Sequence, residues 1–374
     1  MTRRPVAILG ATGVAGHQAL IALARHPQFE IAAVAGSSRS AGRRLGDVLD
    51  GNRRDWQDIG ALLAAPPAET AAADLPAALL DLRVQDVADF DAQPFAAVFS
   101  MLPSSVAREA EAACARHVPV FSTASAWRMD PDTPLLAVGV NGDHAALLER
   151  QQRRHGWRGF IAPGPNCTTV GLVVSLAPLQ RAFGLRAVSL VSLQAVSGAG
   201  SKAPRLAAEV AANVLPHIAG EEHKVEVETR KILGRVAAAT AGGAPALQPA
   251  EIGVSATCTR VPVSDGHLLA VSAQFGQPVS VEQARAVLAG EQPWRDRQLP
   301  SAPQRWIVVR DEDDRPQPRL DRDSGAGFTT VVGRLRPDPL HDGLKWFVLS
   351  HNTVLGAAGG AVLLAEDLFD RGLA

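Results

Sequence analysis

The chain has 374 residues, too many for one ordinary hydrophobic core, so two domains are expected. Hydrophobic residues make up 47% and charged residues 20%, which excludes wholesale disorder, and a formal net charge of −1 offers no global field for nucleic acid or an acidic membrane. Three widely spaced cysteines exclude a disulfide framework and point to a reducing cytoplasm, and no window approaches the ~18 unbroken apolar residues of a bilayer span.

In chain order, "VAILG" is a short apolar strand, "ATGVAG" is glycine punctuation, and "HQALIALARHP" is a helix stopped by its proline. The strand "FEIAAVAG" follows. Between Arg43 and Asp91 an alanine, proline and aspartate mixture reads as helices and connections. "FAAVFSML" is a buried strand, "SSVAREAEAACARH" an amphipathic helix, and "VPVFST" another strand. This alternation implies right-handed crossovers and a Rossmann-type, doubly wound parallel sheet. After about residue 160 the strands lengthen and become β-branched: "RAVSLVSLQAV", "SATCTRVPVS", "HLLAVSAQF", "TTVVGRLR" and "LKWFVLS". They predict a second, α+β domain with a mixed, largely antiparallel sheet covered by helices on one face. "RDEDDRPQPRLDRDSG" reads as a solvated excursion, and "TVLGAAGGAVLLAEDLF" as a closing helix whose small residues pack against the first domain. The expected division is 1–163 with 350–374 for the dinucleotide domain and 164–349 for a catalytic and dimerisation domain.

In "GATGVAG", Gly10, Gly13 and Gly16 follow a strand and open a helix, so backbone amides around Thr12, Gly13 and Val14 are set to meet a pyrophosphate. The second strand ends in "GSSRSAGRR" with no acidic residue for a ribose hydroxyl. Ser37, Ser38, Ser40 and the Arg39 guanidinium suit a 2′-phosphate instead, which favours NADP. "PNCTT" places Cys167 where an extended segment becomes a helix, and the positive end of the helix dipole is expected to lower its thiol pKa. Cys114 and Cys258 read as packing residues. Of ten histidines, His267 follows the tight turn "SDG", with Arg260 seven residues earlier; a hairpin between their strands would aim both at one cleft.

The blocks "GATGVAG", "SSRSAGRR", "SAWRMDPDTP", "PNCTT", "QAVSGAG", "GEEHKVEVETRKILG", "TRVPVSDGHLLAV" and "SHNTVLGAAGGAV" resemble, in order and spacing, those of aspartate-semialdehyde dehydrogenases, above all the archaeal and fungal branch. The resemblance implies NADPH-dependent reductive dephosphorylation of aspartyl phosphate. Cys167 would form a thioester and His267 would act as general acid and base. Gln194 would orient the nucleophile or a nearby water. Arg260 would hold the substrate carboxylate, Glu221 (with Glu222 competing) the ammonium, and Lys224 and Arg128 the phosphate. Ser197, Gly198 and Gly200 would close over the cofactor, and Asn352 would bond the nicotinamide amide. A homodimer, or dimers paired into a homotetramer, is implied, with a small-molecule substrate and phosphate as partners, and with no metal.

Four positions depart from the family pattern: Thr123 where asparagine is common, Gly139 where glutamate is usual, Gly164 before the cysteine, and Leu355 after "SHNT". They leave two alternatives, a malonyl-CoA reductase-like paralogue acting on a CoA thioester and a non-catalytic nucleotide-binding regulator. Retention of both Glu221 and Arg260 favours an amino acid substrate.

Overall fold

A computed structural model describes residues 2–51, 75–237 and 246–374. The first six strands are β1 (Arg4–Leu9), β2 (Phe29–Gly36), β3 (Val84–Asp86), β4 (Ala97–Ser100), β5 (Val120–Ser122) and β6 (Ile161–Pro163). All pairings are parallel, in the order β3-β2-β1-β4-β5-β6. Val6 to Leu9 and Ala97 to Phe99 are sealed on both faces, which accounts for their unbroken apolar runs. The order reverses between β1 and β4, and a doubly wound sheet binds its ligand at the carboxyl ends of such strands. Of the stretch expected to hold helices and connections between Arg43 and Asp91, residues 52–74 lie outside the described residues, and the remainder holds a short helix at Ala77–Leu80 and, against that expectation, strand β3.

The turn after β1 depends on glycine. Gly10 has φ +75°, and a Cβ there would lie 2.7 Å from the Met101 carbonyl oxygen; one at Gly16 would lie 2.1 Å from the Gly10 carbonyl oxygen. Helix α1 (Val14–Leu23) therefore settles directly on the turn and presents its N-terminus at the switch point.

The second sheet contains β7 (Leu185–Gln194), β10 (Gly253–Arg260), β11 (His267–Phe275), β12 (Ile307–Val309), β13 (Thr330–Asp338) and β14 (Gly343–Ser350), in the order β10-β7-β11-β14-β13-β12. The short β8 (Arg235–Ala237) and β9 (Ala246–Gln248) pair separately. The expected hairpin between the Arg260 and His267 strands does not form. Strand β7 lies between them, parallel to β10 and antiparallel to β11. The linker 261–266 crosses the end of β7, where Val263 and Ser264 carbonyls accept from Val196 N (2.8 Å) and Ser197 N (3.1 Å). Both side chains still reach one end of the sheet, because β7 is only one strand wide.

Helix α2 (Cys167–Phe183) runs beneath this sheet and is buried on every side from Thr168 to Leu179, as expected of a helix that is apolar all round. Helix α3 (Glu221–Ile232) covers the exposed edge of β10. Its Glu222 and Glu226 accept from the backbone amides of Cys258 (3.0 Å) and Ala256 (3.1 Å), donors that an edge strand otherwise leaves unpaired. After a π-turn at Val354–Ala358, α4 (Gly359–Asp370) returns to pack on α1 and β5.

The charged segment 310–324 is organised rather than merely solvated. Asp321 is fully buried and accepts from Arg310, Arg315 and the Gln317 amide (2.7 Å). A buried carboxylate holds this many donors because, unpaired, it would carry a large desolvation cost.

Candidate active site

Cys167 is the first residue of α2. Asn166 caps the helix, its Oδ1 accepting from Thr168 N (2.8 Å) and Thr169 N (3.3 Å). Two carboxylates of α3 hold Asn166 in turn: Glu221 Oε1 accepts from its Nδ2 (2.8 Å) and Glu228 Oε2 from its backbone N (2.6 Å). The sulfur lies 3.4 Å from His267 Nε2.

The expectation of a lowered thiol pKa is overturned. Although the residue is only half-buried, the protein packed around its sulfur pushes the pKa up to about 12, and Glu221 adds to the rise; Arg260 and Arg128 oppose it. Desolvation shifts a pKa by as much as 3–5 units, whereas a helix terminus typically contributes about 0.3–1 kcal/mol, less than one unit. The resting residue is thus a neutral thiol. Its alkylation by iodoacetamide is expected to rise about tenfold per pH unit between roughly pH 7 and pH 10. A plateau below about pH 8, followed by mass spectrometry of Cys167, would show a preformed thiolate instead.

His267 is fully buried, and its Nδ1 accepts from Ala195 N (3.1 Å). The ring proton therefore sits on Nε2 and faces the sulfur. Burial, then the nearby Arg260 and His351 charges, lower the imidazole pKa well below its ordinary value, so the ring is neutral. As placed, it is a hydrogen-bond donor to the sulfur; accepting a proton at Nε2 would first require releasing the Ala195 amide. The Ala195 carbonyl meanwhile accepts from Arg260 Nη1 (2.6 Å), so the two backbone groups of one residue aim both side chains.

Gly198, expected at the cofactor, packs against this pair. A Cβ there would lie 2.9 Å from His267 Cε1 and Nε2 and 3.0 Å from Arg260 Nη1. Gly198→Ala is expected to lower kcat/KM about a hundredfold through sub-ångström displacement of both groups, with the thermal midpoint little changed. Steady-state kinetics alongside thermal melting checks it.

The remaining expected residues divide. Glu221 faces the thiol and Lys224, whose Nζ stands 3.7 Å from its Oε2, whereas Glu222 is engaged by the Cys258 amide; the structure brings Glu221, not Glu222, to the site. Arg128 is buried on Glu228 Oε1 (3.0 Å) and the Thr123 carbonyl (2.7 Å), and its Nε has no partner among the described residues. The acidic neighbours Asp130 and Asp132 are occupied by other arginines. Gln194 lies beside Arg260 in register, but its amide donates to Ser192 Oγ (3.2 Å) rather than meeting the thiol.

At the cofactor end, Gly10, Thr12, Gly13 and Val14 line the turn into α1, and Ser37, Ser38 and Arg39 stand exposed at the end of β2. Ser40 does not join them: it is buried, and its hydroxyl proton is used on the Ser37 carbonyl (2.9 Å). Asn352 bridges Gly266 N (2.8 Å) and Ser197 Oγ (2.8 Å), so its amide braces the loop that carries Ser197. The tight glycine turn, helix terminus and exposed basic loop together fit a dinucleotide with a 2′-phosphate.

Three of the four departures, Thr123, Gly164 and Leu355, line one cleft beside Gly356, where an added Cβ would lie 3.1 Å from the Cys167 Cβ. Gly139 has a different cause: its φ is +74°, and a Cβ would meet Trp306 Cζ2 at 2.9 Å. Asn166, Ala195, Glu228 and Lys231 escaped sequence reasoning. Asn166 was readable as an N-cap before a helix, and Glu228 and Lys231 lie seven and ten residues after Glu221 on one helical face.

A dinucleotide-binding fold joined to a sheet domain, with a half-buried cysteine against a buried histidine, fits an NAD(P)-linked dehydrogenase. Residues 5–148 match the family model for the NAD binding domain of semialdehyde dehydrogenase, and residues 176–355 its dimerisation domain. The aspartate-semialdehyde dehydrogenase of Archaeoglobus fulgidus is 44% identical over 97% of both chains. Among solved structures, the enzyme from Candida albicans with NADP has a TM-score of 0.82 at 36% identity, covering 100% of each chain. Aspartate semialdehyde dehydrogenase II of Vibrio cholerae, complexed with ASA, has 0.75 at 25%, covering 99% of each. The chain belongs to the aspartate-semialdehyde dehydrogenase family.

Proposed function

We propose that the chain catalyses the NADPH-dependent reductive dephosphorylation of L-aspartyl-4-phosphate to L-aspartate-4-semialdehyde through a thioester on Cys167. The observation that carries this reading is the 3.4 Å contact between Cys167 Sγ and His267 Nε2, with Glu221 and Arg260 around it. The Cys167 sulfur attacks the acyl phosphate carbonyl carbon as its proton passes to a phosphate oxygen; the carbon–oxygen bond to phosphate breaks, the protonated phosphate departs and a thioester remains. The bound reduced dinucleotide supplies the hydride for that carbon. His267 donates its Nε2 hydrogen bond to the oxygen on which negative charge then collects, and expulsion of the sulfur frees the aldehyde.

Arg260 suits the substrate carboxylate, Glu221 the ammonium, and Arg128 with Lys224 the phosphate. A substrate with an ammonium fits Glu221 better than a malonyl thioester does, and a site this complete argues against a retired regulator. Gln194 would turn from Ser192 to reach the reacting groups. Residues 1–163 with 350–374 would bind the cofactor and 164–349 the substrate.

The outward face of the second sheet carries Val191, 43% exposed, with half-buried Leu193, Ala270 and Phe347, a surface suited to a homodimer. No described helix is long and apolar enough to cross a membrane, and three unpaired cysteines favour the cytoplasm. The test is NADP reduction with aspartate semialdehyde and phosphate. Turnover that requires both supports the reading, and oxidation of NADPH by malonyl-CoA without such turnover overturns it.

A further inference from the structure

We propose that Glu228 is a positioning residue that joins the phosphate-gripping arginine to the cap of the nucleophile's helix; this rests on the function proposed above. Glu228 is 2% exposed and takes no part in the chemistry assigned so far. Each of its oxygens has one donor: Oε1 accepts from Arg128 Nη1 (3.0 Å) and Oε2 from Asn166 N (2.6 Å). Asn166 is the residue before Cys167 and its Oδ1 caps that helix, so the second bond sets where the sulfur begins.

The first bond, with that to the Thr123 carbonyl (2.7 Å), fixes the plane of the Arg128 guanidinium and leaves its buried Nε–H without an acceptor among the described residues. Lys231, almost one turn further along the same helix, donates to the carbonyls of Arg128 (2.7 Å), Asp130 (3.0 Å) and Thr133 (2.9 Å). Helix α3 thus holds Arg128 by side chain and by backbone, while Glu228 reaches both the phosphate grip and the cap of the nucleophile's helix.

This arrangement requires two acceptor oxygens and a full side-chain length. Glutamine offers one oxygen, so Glu228→Gln must leave either Arg128 or the Asn166 amide facing an amide NH2. Aspartate keeps the charge but is one methylene too short to span both donors. Simple electrostatics and positioning predict opposite signs: removing a negative charge near a phosphate site would tighten phosphate binding, whereas releasing Arg128 weakens it.

The test is phosphate-dependent NADP reduction with aspartate semialdehyde. In Glu228→Gln, kcat is expected to fall about tenfold from misplacement of the sulfur. KM for phosphate is expected to rise about threefold or more from the loosened guanidinium, and KM for NADP to stay within about twofold. In an Arg128→Ala background, Glu228→Gln should lower kcat again without further raising KM for phosphate. Glu228→Asp should also lower kcat, and serves if the glutamine variant does not fold. An unchanged kcat in a folded variant, a fall in KM for phosphate, or the same KM rise without Arg128 overturns the inference. A wild-type chain that does not turn over these substrates overturns the functional reading instead.

Discussion

Cys167→Ser is expected to lower turnover at least about a thousandfold, below detection in an ordinary NADP-reduction assay, while NADPH binding measured by fluorescence stays unchanged. Sulfur is the only atom at this position that can both attack an acyl carbon and leave again, and a serine hydroxyl ionises far less readily than even a thiol held near pKa 12. The substitution is nearly isosteric and leaves the Asn166 cap and the Thr168 and Thr169 amides intact, so α2 and the dinucleotide turn before α1 are undisturbed. Retention of more than about a tenth of wild-type kcat would refute thioester chemistry at this residue, and loss of NADPH binding would point to a folding defect.

His267→Ala is expected to reduce kcat by about a hundredfold to ten-thousandfold, with KM for substrate changed much less. The ring contacts the sulfur rather than the sites proposed for substrate charge, so its loss should appear mainly in the chemical step. The same variant carries a pH signature. Because the folded-state pKa lies below the ordinary value of about 6.5, the unfolded chain binds more protons, and the stability held by the neutral ring is present above pH ~6.5 and lost as pH falls towards the folded value. The wild-type thermal midpoint should therefore decline below about pH 6.5 more steeply than that of His267→Ala. The buried His351 and His144, also lowered by burial, leave a residual slope in both proteins. Equal slopes would mean that His267 is not held neutral.

Much of the site was legible because its signals are local. A glycine turn between strand and helix, a cysteine at a helix start, and a basic loop after β2 each depend on a few neighbouring residues. Ser40 shows where that stops: it matches Ser37 and Ser38 in type, yet the turn of the chain buries its hydroxyl on the Ser37 carbonyl. The misread hairpin has the same origin. Arg260 and His267 are close in sequence, but β7, about 70 residues earlier, pairs between their strands, and nothing local records which distant strand wins an edge.

The periodicity and motifs of this chain determined by themselves the two-part architecture, the nucleotide turn and the cysteine and histidine that meet in the site, because backbone preference, capping and apolar spacing act over one or two turns. The tertiary structure decided the rest. It made Cys167 a neutral thiol by burial, placed the ring proton of His267 through the Ala195 amide, chose Glu221 over Glu222, and set Glu228 between Arg128 and Asn166. Desolvation and hydrogen-bond partnership are properties of what surrounds a group in space, and those surroundings come from segments as many as 100 residues apart.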